Sequence, residues 1–177
     1  MRKIVCHACC AVCSLFPLQK LKEFELEPVI YFYNPNIYPQ EEYQRRLAEL
    51  ERYCSENNIQ LFIEEYEPAV WNDAVKGFEA EPERGKRCEI CFKLRLEKTA
   101  QFAVKNNINL LTTTLTVSPH KNSKTIFTVL EEVCGKYNLE YLKCDFKKEN
   151  GFLITSRLAE EQNFYRQKYC GCKYSMR

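Results

Sequence analysis

Five short runs rich in β-branched and aromatic residues recur along the chain, and a helix-like stretch follows each of them. The runs are "RKIVCH" (2–7), "PVIYFYNP" (28–35), "IQLFIEEY" (59–66), "INLLTTTLTVSP" (108–119) and "LEYLKCDF" (139–146). In the helix-like stretch at 39–58, Tyr43, Leu47, Leu50 and Cys54 share one face at spacings of four, three and four. Further helices are expected at 17–24, with Pro17 in the first turn, at 92–107 with Leu94, Leu96, Ala100 and Ala103 inward, at 123–138 and at 152–163. Strands alternating with helices predict a single α/β domain over 1–177, with a mainly parallel sheet covered on both faces. In such sheets ligands collect beyond the carboxyl ends of the strands. The loop after the first strand and "TVSPHKNS" after the fourth are therefore expected at one edge.

That first loop is unusual. "VCHACCAVCS" places Cys6, Cys9, Cys10 and Cys13 within eight positions, and the 177-residue chain carries 11 cysteines in all. An N-terminal apolar stretch this short and cysteine-rich does not read as a signal peptide. No apolar run approaches the ~20 residues that span a bilayer. The expected location is the cytoplasm, where cysteines bind metal or do redox chemistry more often than they form a disulfide framework. Cys6, Cys54, Cys134 and Cys144 lie in predicted strands or helices and read as small buried hydrophobes.

Three cysteine groups remain: Cys9-Cys10 with Cys13, Cys88-x-x-Cys91 at the start of a helix, and Cys170-Gly171-Cys172. A tetrahedral thiolate site needs four sulfurs from at least two segments, and Cys-x-x-Cys is the usual half. By itself that motif fits zinc, an iron–sulfur cluster or a redox pair. Neighbouring residues on a strand point to opposite faces, so Cys9 and Cys10 reach one site only from an irregular loop. An adjacent pair suits several irons better than one zinc ion, although zinc stays open. Cys170 and Cys172 could close a very small, strained and easily reduced disulfide ring, with Gly171 giving the backbone its freedom. Two separate thiols, or a second metal half-site, are the other readings of that pair.

Charge is segregated under a net value of +2. Residues 40–83 hold twelve acids and four bases, residues 84–98 six bases and two acids, and residues 164–177 four bases and no acid. Both basic segments contain paired cysteines. A positive field there favours thiolates, with Arg166, Lys168 and Lys173 flanking the last pair, and attracts polyanions such as nucleic acid.

Taken in order, "HACCAVCS", "FYNPNIYPQEEYQRR", "GKRCEICFKLRLEKTAQFA", "TTTLTVSPHKN" and "YRQKYCGCKYS" resemble the epoxyqueuosine reductase QueH family over nearly the whole chain. The resemblance implies a fold similar to adenine nucleotide α-hydrolase-like domains. It implies the last step of queuosine biosynthesis, reduction of epoxyqueuosine at the wobble position of tRNA, carried out without cobalamin. It further implies a 4Fe–4S cluster held by Cys9, Cys10, Cys88 and Cys91, and a redox-active disulfide between Cys170 and Cys172. Some members have Asp where this chain has Cys13, and an adjacent mononuclear metal ion is associated with that neighbourhood.

An epoxide oxygen leaves only when a Lewis acid or proton donor stabilises its charge. His120 and Lys121 are candidates to supply a proton or hold a phosphate, and His7 to support its loop. Tyr165, Tyr169 and Tyr174 would suit base stacking with a splayed anticodon loop. The expected partners are that tRNA and an unidentified electron donor, with no membrane. Two rivals are an ATP-dependent iron–sulfur tRNA thiolase and a non-enzymatic zinc-containing RNA-binding module. The thiolase would need a Gly/Ser-rich phosphate loop, whereas "HACCAVCS" contains no glycine. The zinc module leaves Cys170-Gly171-Cys172 without a purpose.

Overall fold

The computed structural model describes residues 1–176; Arg177, one of the four basic residues counted at the C-terminal end, lies outside them. Five strands form one parallel sheet: β1 (Arg2–His7), β2 (Leu26–Phe32), β3 (Gln60–Ile63), β4 (Leu110–Thr113) and β5 (Glu140–Tyr141). Their order is β3-β2-β1-β4-β5, and every adjacent pair is parallel. The helices are α1 (Ala11–Glu23), α2 (Gln40–Glu56), α3 (Pro68–Ala74), α4 (Lys86–Lys105), α5 (Ser123–Tyr137) and α6 (Gly151–Glu161). Right-handed crossovers place α1 and α2 on one face and α4 and α5 on the other; α6 packs on α1, and α4 on α5. The chain reverses its direction across the sheet between β1 and β4, which opens a crevice beyond the ends of those two strands.

The core follows from burial on both faces of the central strands. Ile4, Val5 and Cys6 of β1, Ile30 and Phe32 of β2 and Leu111 of β4 are fully enclosed. Of the four expected inward residues of α4, Leu96, Ala100 and Ala103 are fully buried and Leu94 is half-buried. Cys6, Cys54 and Cys134 are buried as expected of small apolar side chains, and Cys144 is half-buried.

Three expected elements differ in extent. The first helix begins at Ala11, so Pro17 sits in its interior. The start is moved forward by Cys10, whose Sγ accepts from the Cys13 N–H at 3.3 Å, while the Ser14 hydroxyl donates to the Cys10 carbonyl at 2.8 Å. Cys13 therefore lies in the first turn of a helix. The fourth strand stops at Thr113, whose hydroxyl accepts from the Leu115 N–H at 3.2 Å and turns residues Thr114–Val117 into a 3-10 turn. The fifth strand is two residues long. Beyond it, single hydrogen bonds from Leu142 N–H to Leu111 and from Thr116 to the Cys144 carbonyl hold an irregular edge. Among the described residues no helix is long and apolar enough to cross a membrane.

Candidate metal and redox site

The loop between β1 and α1 lies at the crevice. The Ala8 N–H donates to Tyr31, and Asn34 Nδ2 donates to the Ala8 carbonyl at 2.9 Å, so the cysteines are presented from a pinned backbone. His7, in register with Tyr31 and Thr113, braces the three central strands. Its Nε2 donates to the Tyr33 carbonyl at 3.2 Å, which leaves Nδ1 to accept from Thr113 at 3.1 Å. Burial pushes the imidazole down to about 3, so it is neutral and structural.

Cys9, Cys10 and Cys13 are all buried, and their sulfurs lie within 4.8 Å of one another, with Cys9 and Cys10 at 3.9 Å. Hydrogen bonds from the Cys10 and Cys13 thiols hold Cys9 well below the usual thiol range, assisted by Lys121 and Arg95. Cys10 gains a hydrogen bond from Cys13, yet its donation to Cys9 and its burial push it up to about 12. Cys13, donor to both and equally buried, is pushed well up. Of the three, Cys9 is the sulfur the other two favour as an acceptor. Gln167 Nε2 contacts the Cys10 and Cys13 sulfurs at 3.3 and 3.7 Å.

The second half of the site comes from α4. Gly85 caps this helix, and both Cys88 and Cys91 fall in its first two turns. The Arg84 N–H donates to Cys88 Sγ at 3.3 Å. The Arg84 side chain reaches across to the Pro119 and His120 carbonyls at 3.2 and 2.9 Å, tying the loop after β4 to the Cys-x-x-Cys loop. Cys91 is buried with Trp71, Val75 and Cys172, and burial pushes its thiol up to about 11.

The third group is held by α2. Buried Arg46 pairs with Glu42 at 2.8 Å and donates to the Cys170 and Tyr169 carbonyls at 3.0 and 3.2 Å. Cys170 is exposed, Cys172 is buried, and all eleven cysteines are free thiols.

A cavity of about 340 Å³ joins these pieces. Cys13, Cys88, Cys170 and Cys172 line it together with His120 and Lys121, so the loops after β1 and β4 do meet at one edge. Cys9, Cys10 and Cys91 are buried behind this lining. Burial works against the charge of Lys121, but Cys170, Cys9 and Cys13 together hold it above the ordinary lysine value. Of the three expected tyrosines, Tyr169 lines the cavity. Tyr165 donates to Glu42 at 3.0 Å, and Tyr174 packs on Trp71 at 6.0 Å between ring centres. Phe152 of α6 is the partly exposed aromatic that sequence reasoning passed over. Arg46, Arg84, Arg95 and Gln167 were passed over too. Arg95 carried a readable signal: it follows Cys88 and Cys91 at helical spacings of seven and four.

The donor set suits a thiolate-bound metal group. A Zn–S bond of ~2.3 Å implies sulfurs ~3.8 Å apart around one tetrahedral ion, the spacing of Cys9 and Cys10. Cys88 and Cys91 stand outside the 4.8 Å triplet and add two further thiols from α4. The unfilled buried donor on Arg95 (Nη2) is available to a sulfur acceptor.

A parallel α/β sheet with thiols brought from three segments to its reversal point defines an α/β domain with a cysteine-lined crevice, in which Cys9, Cys10 and Cys13 could hold a metal ion. The sheet is similar to that of the U34-tRNA thiolase NcsA from Methanococcus maripaludis with its [4Fe-4S] cluster (TM-score 0.61, 14% identity, 99% of this chain and 61% of that one). It is also similar to a predicted subunit of tRNA methyltransferase from Methanocaldococcus jannaschii (TM-score 0.60, 15% identity, 91% and 76% of the two chains). These likenesses show a shared α/β fold with a parallel sheet. Residues 4–177 match the family profile of the epoxyqueuosine reductase QueH. Proteins named epoxyqueuosine reductase QueH are 43% identical in Streptococcus pyogenes (97% of this chain, 69% of that one), 37% in Haemophilus influenzae (99% and 72%) and 34% in Thermotoga maritima (99% and 91%). This chain belongs to the epoxyqueuosine reductase QueH family.

Proposed function

We propose that the chain reduces epoxyqueuosine to queuosine in the anticodon loop of tRNA, without cobalamin, with Cys9, Cys10, Cys88 and Cys91 holding a 4Fe–4S cluster. The observation that carries this reading is the single cavity into which Cys13, Cys88, Cys170 and Cys172 open, above buried Cys9, Cys10 and Cys91. When bound, the cluster would supply one-electron transfer and Lewis-acid assistance to the leaving oxygen. The reaction consumes two electrons and two protons: both C–O bonds of the epoxide break, a C=C bond forms, and the oxygen leaves as water. Oxidation of the Cys170/Cys172 dithiol to a disulfide releases two electrons and two protons, and an external electron donor restores the dithiol. Exposed Cys170 faces that donor, while Cys172 lies buried beside Cys91. His120 and Lys121 line the cavity as donors to the departing oxygen or to a flanking phosphate.

Cys13 adds a third buried thiol within 4.8 Å of Cys9 and Cys10, a donor set that could also hold a mononuclear metal and makes zinc the second reading. The thiolase reading is disfavoured because the loop before α1 contains no glycine and Cys10 caps the helix in place of a Gly/Ser-rich phosphate turn.

Iron and acid-labile sulfide analysis after anaerobic purification tests the reading, followed by an assay on epoxyqueuosine-containing tRNA. About four iron and four sulfide per chain are expected for a 4Fe–4S centre. They should be lost in Cys88→Ala or Cys91→Ala and retained in Cys170→Ala, which should still lose turnover. One zinc without sulfide, even after reconstitution with iron and sulfide, would overturn the reductase mechanism.

A further inference from the structure

Along α4, residues Cys88, Cys91 and Arg95 lie at spacings of three and four and so share one helical face. Arg95 is 2% exposed, deeper than either cysteine. A guanidinium taken out of water needs an anion and a full set of acceptors. Two of its nitrogens find neutral partners: Nε donates to the Cys91 carbonyl at 3.2 Å and Nη1 to Asn34 Oδ1 at 3.3 Å. The third, Nη2, is buried without a partner. Among the described residues no carboxylate forms an ion pair with it.

We propose that Arg95 is a positioning residue of the metal centre: its free Nη2 donates to an anionic sulfur of the loaded site, and its charge makes that site easier to reduce. The inference rests on the iron–sulfur reading above. A thiolate-ligated cluster becomes more negative when it accepts an electron, so a fixed buried cation stabilises the reduced form more than the oxidised one. Hydrogen bonds to ligand or bridging sulfur act in the same direction. Asn34 holds the Ala8 carbonyl with its own amide, so Arg95 also joins the two cysteine-bearing segments through a single side chain. A residue with only a bracing role would need Nε and Nη1 but neither the charge nor the free donor.

Arg95→Met keeps a long apolar stem without the charge, and Arg95→Lys keeps the charge without the fork. Both variants and the native chain are reconstituted anaerobically, assayed for iron and sulfide, and titrated for midpoint potential by absorption and paramagnetic resonance. The expected result for Arg95→Met is a tenfold or larger shift of the equilibrium toward the oxidised centre, ~59 mV for one electron, with Arg95→Lys shifted by less than half as much. A potential within twofold of native in Arg95→Met, or equal shifts in the two variants, would overturn the inference. Thermal melts of the metal-free proteins decide the case in which Arg95→Met takes up no iron. A melting point at or above that of the native metal-free chain supports an uncompensated charge awaiting its anion. A markedly lower one reduces Arg95 to a brace and overturns the inference. If the native chain takes up no iron and sulfide, the reductase reading fails, and this inference falls with it.

Discussion

At position 171 the backbone has φ of +139°, a conformation that only glycine adopts without strain, and a Cβ there would stand 3.1 Å from Arg46 Nη1 and 3.3 Å from Asn36 Nδ2. The Gly171 carbonyl accepts from the Tyr38 N–H at 2.8 Å, and Arg46 holds the two preceding carbonyls. The residue between Cys170 and Cys172 therefore does more than loosen a small ring: it lets a buried guanidinium approach and clamp the redox segment. Gly171→Ala should weaken that docking by ~1–3 kcal/mol, as a local opening rather than global unfolding. Trypsin should then cut after Arg166 and Lys168 roughly five-fold faster or more, with the main melting transition unchanged. An unaltered cleavage rate would contradict the clamp. The cysteines were legible in the sequence because their spacing is local to the chain. Arg46 was not, because Glu42 and Arg46 at a spacing of four look like any exposed helical ion pair, and only the return of the C-terminal segment buries them.

Among the elements, α1 and α6 meet where there is no room for a side chain. A Cβ at Gly151 would land on the Phe146 carbonyl and 2.5 Å from the ring of Phe16 in α1. Both are backbone or buried aromatic atoms, so Gly151→Ala must shift α6 away from α1. Overpacking of this kind costs ~1–3 kcal/mol, equivalent to a fall in Tm of roughly 2–4 °C per kcal/mol for a chain this size. Because α6 carries Phe152, Thr155 and Ser156 into the cavity lining, the variant should bind tRNA more weakly while keeping its iron and sulfide. Unchanged melting and binding would show that α6 has slack. The order of strands and helices was readable from hydrophobic period, since the central strands are buried on both faces. Their ends were not. Cys10 starts α1 and Thr113 ends β4 through side-chain hydrogen bonds; Cys is not a usual capping residue, and Thr113, though Thr is one, stands in a β-branched run that reads as strand. Pro17 then lies inside α1, where buried Leu15, Phe16, Leu18 and Leu21 hold the turn together.

On the scale of the molecule, charge is sorted by position in the fold more than by amount. The acids of 40–83 fall on α2, on α3 and in the loops after β3 and α3, and among its carboxylates Glu42 and Glu49 are occupied by Arg46 and Tyr165, and Glu64 by Tyr31. The cavity is walled mostly by bases, Arg84, Arg87, Lys121, Arg166 and Lys168, with Glu83 the acid of that stretch that reaches its lining. Arg87 is consumed by the carbonyls of Phe78, Glu79 and Glu81, and Arg84 by those of Pro119 and His120. Arg166 and Lys168, exposed on the segment that also carries Cys170, remain turned to solvent. For a polyanion whose modified base enters the cavity, these two exposed side chains are the expected contacts of its flanking phosphates. Each phosphate contact on single-stranded nucleic acid contributes ~0.7 to the slope of log K against log salt. Arg166→Gln and Lys168→Gln should each reduce that slope by ~0.7, and together by ~1.4, when an anticodon stem–loop is titrated by fluorescence anisotropy over a salt series. Affinity should fall most at low salt and the variants should converge on the native chain at high salt. A fall in affinity that is the same at every salt concentration would instead mean that these residues position the Cys170 segment, so that phosphate contact and redox geometry are separate properties of one stretch of chain.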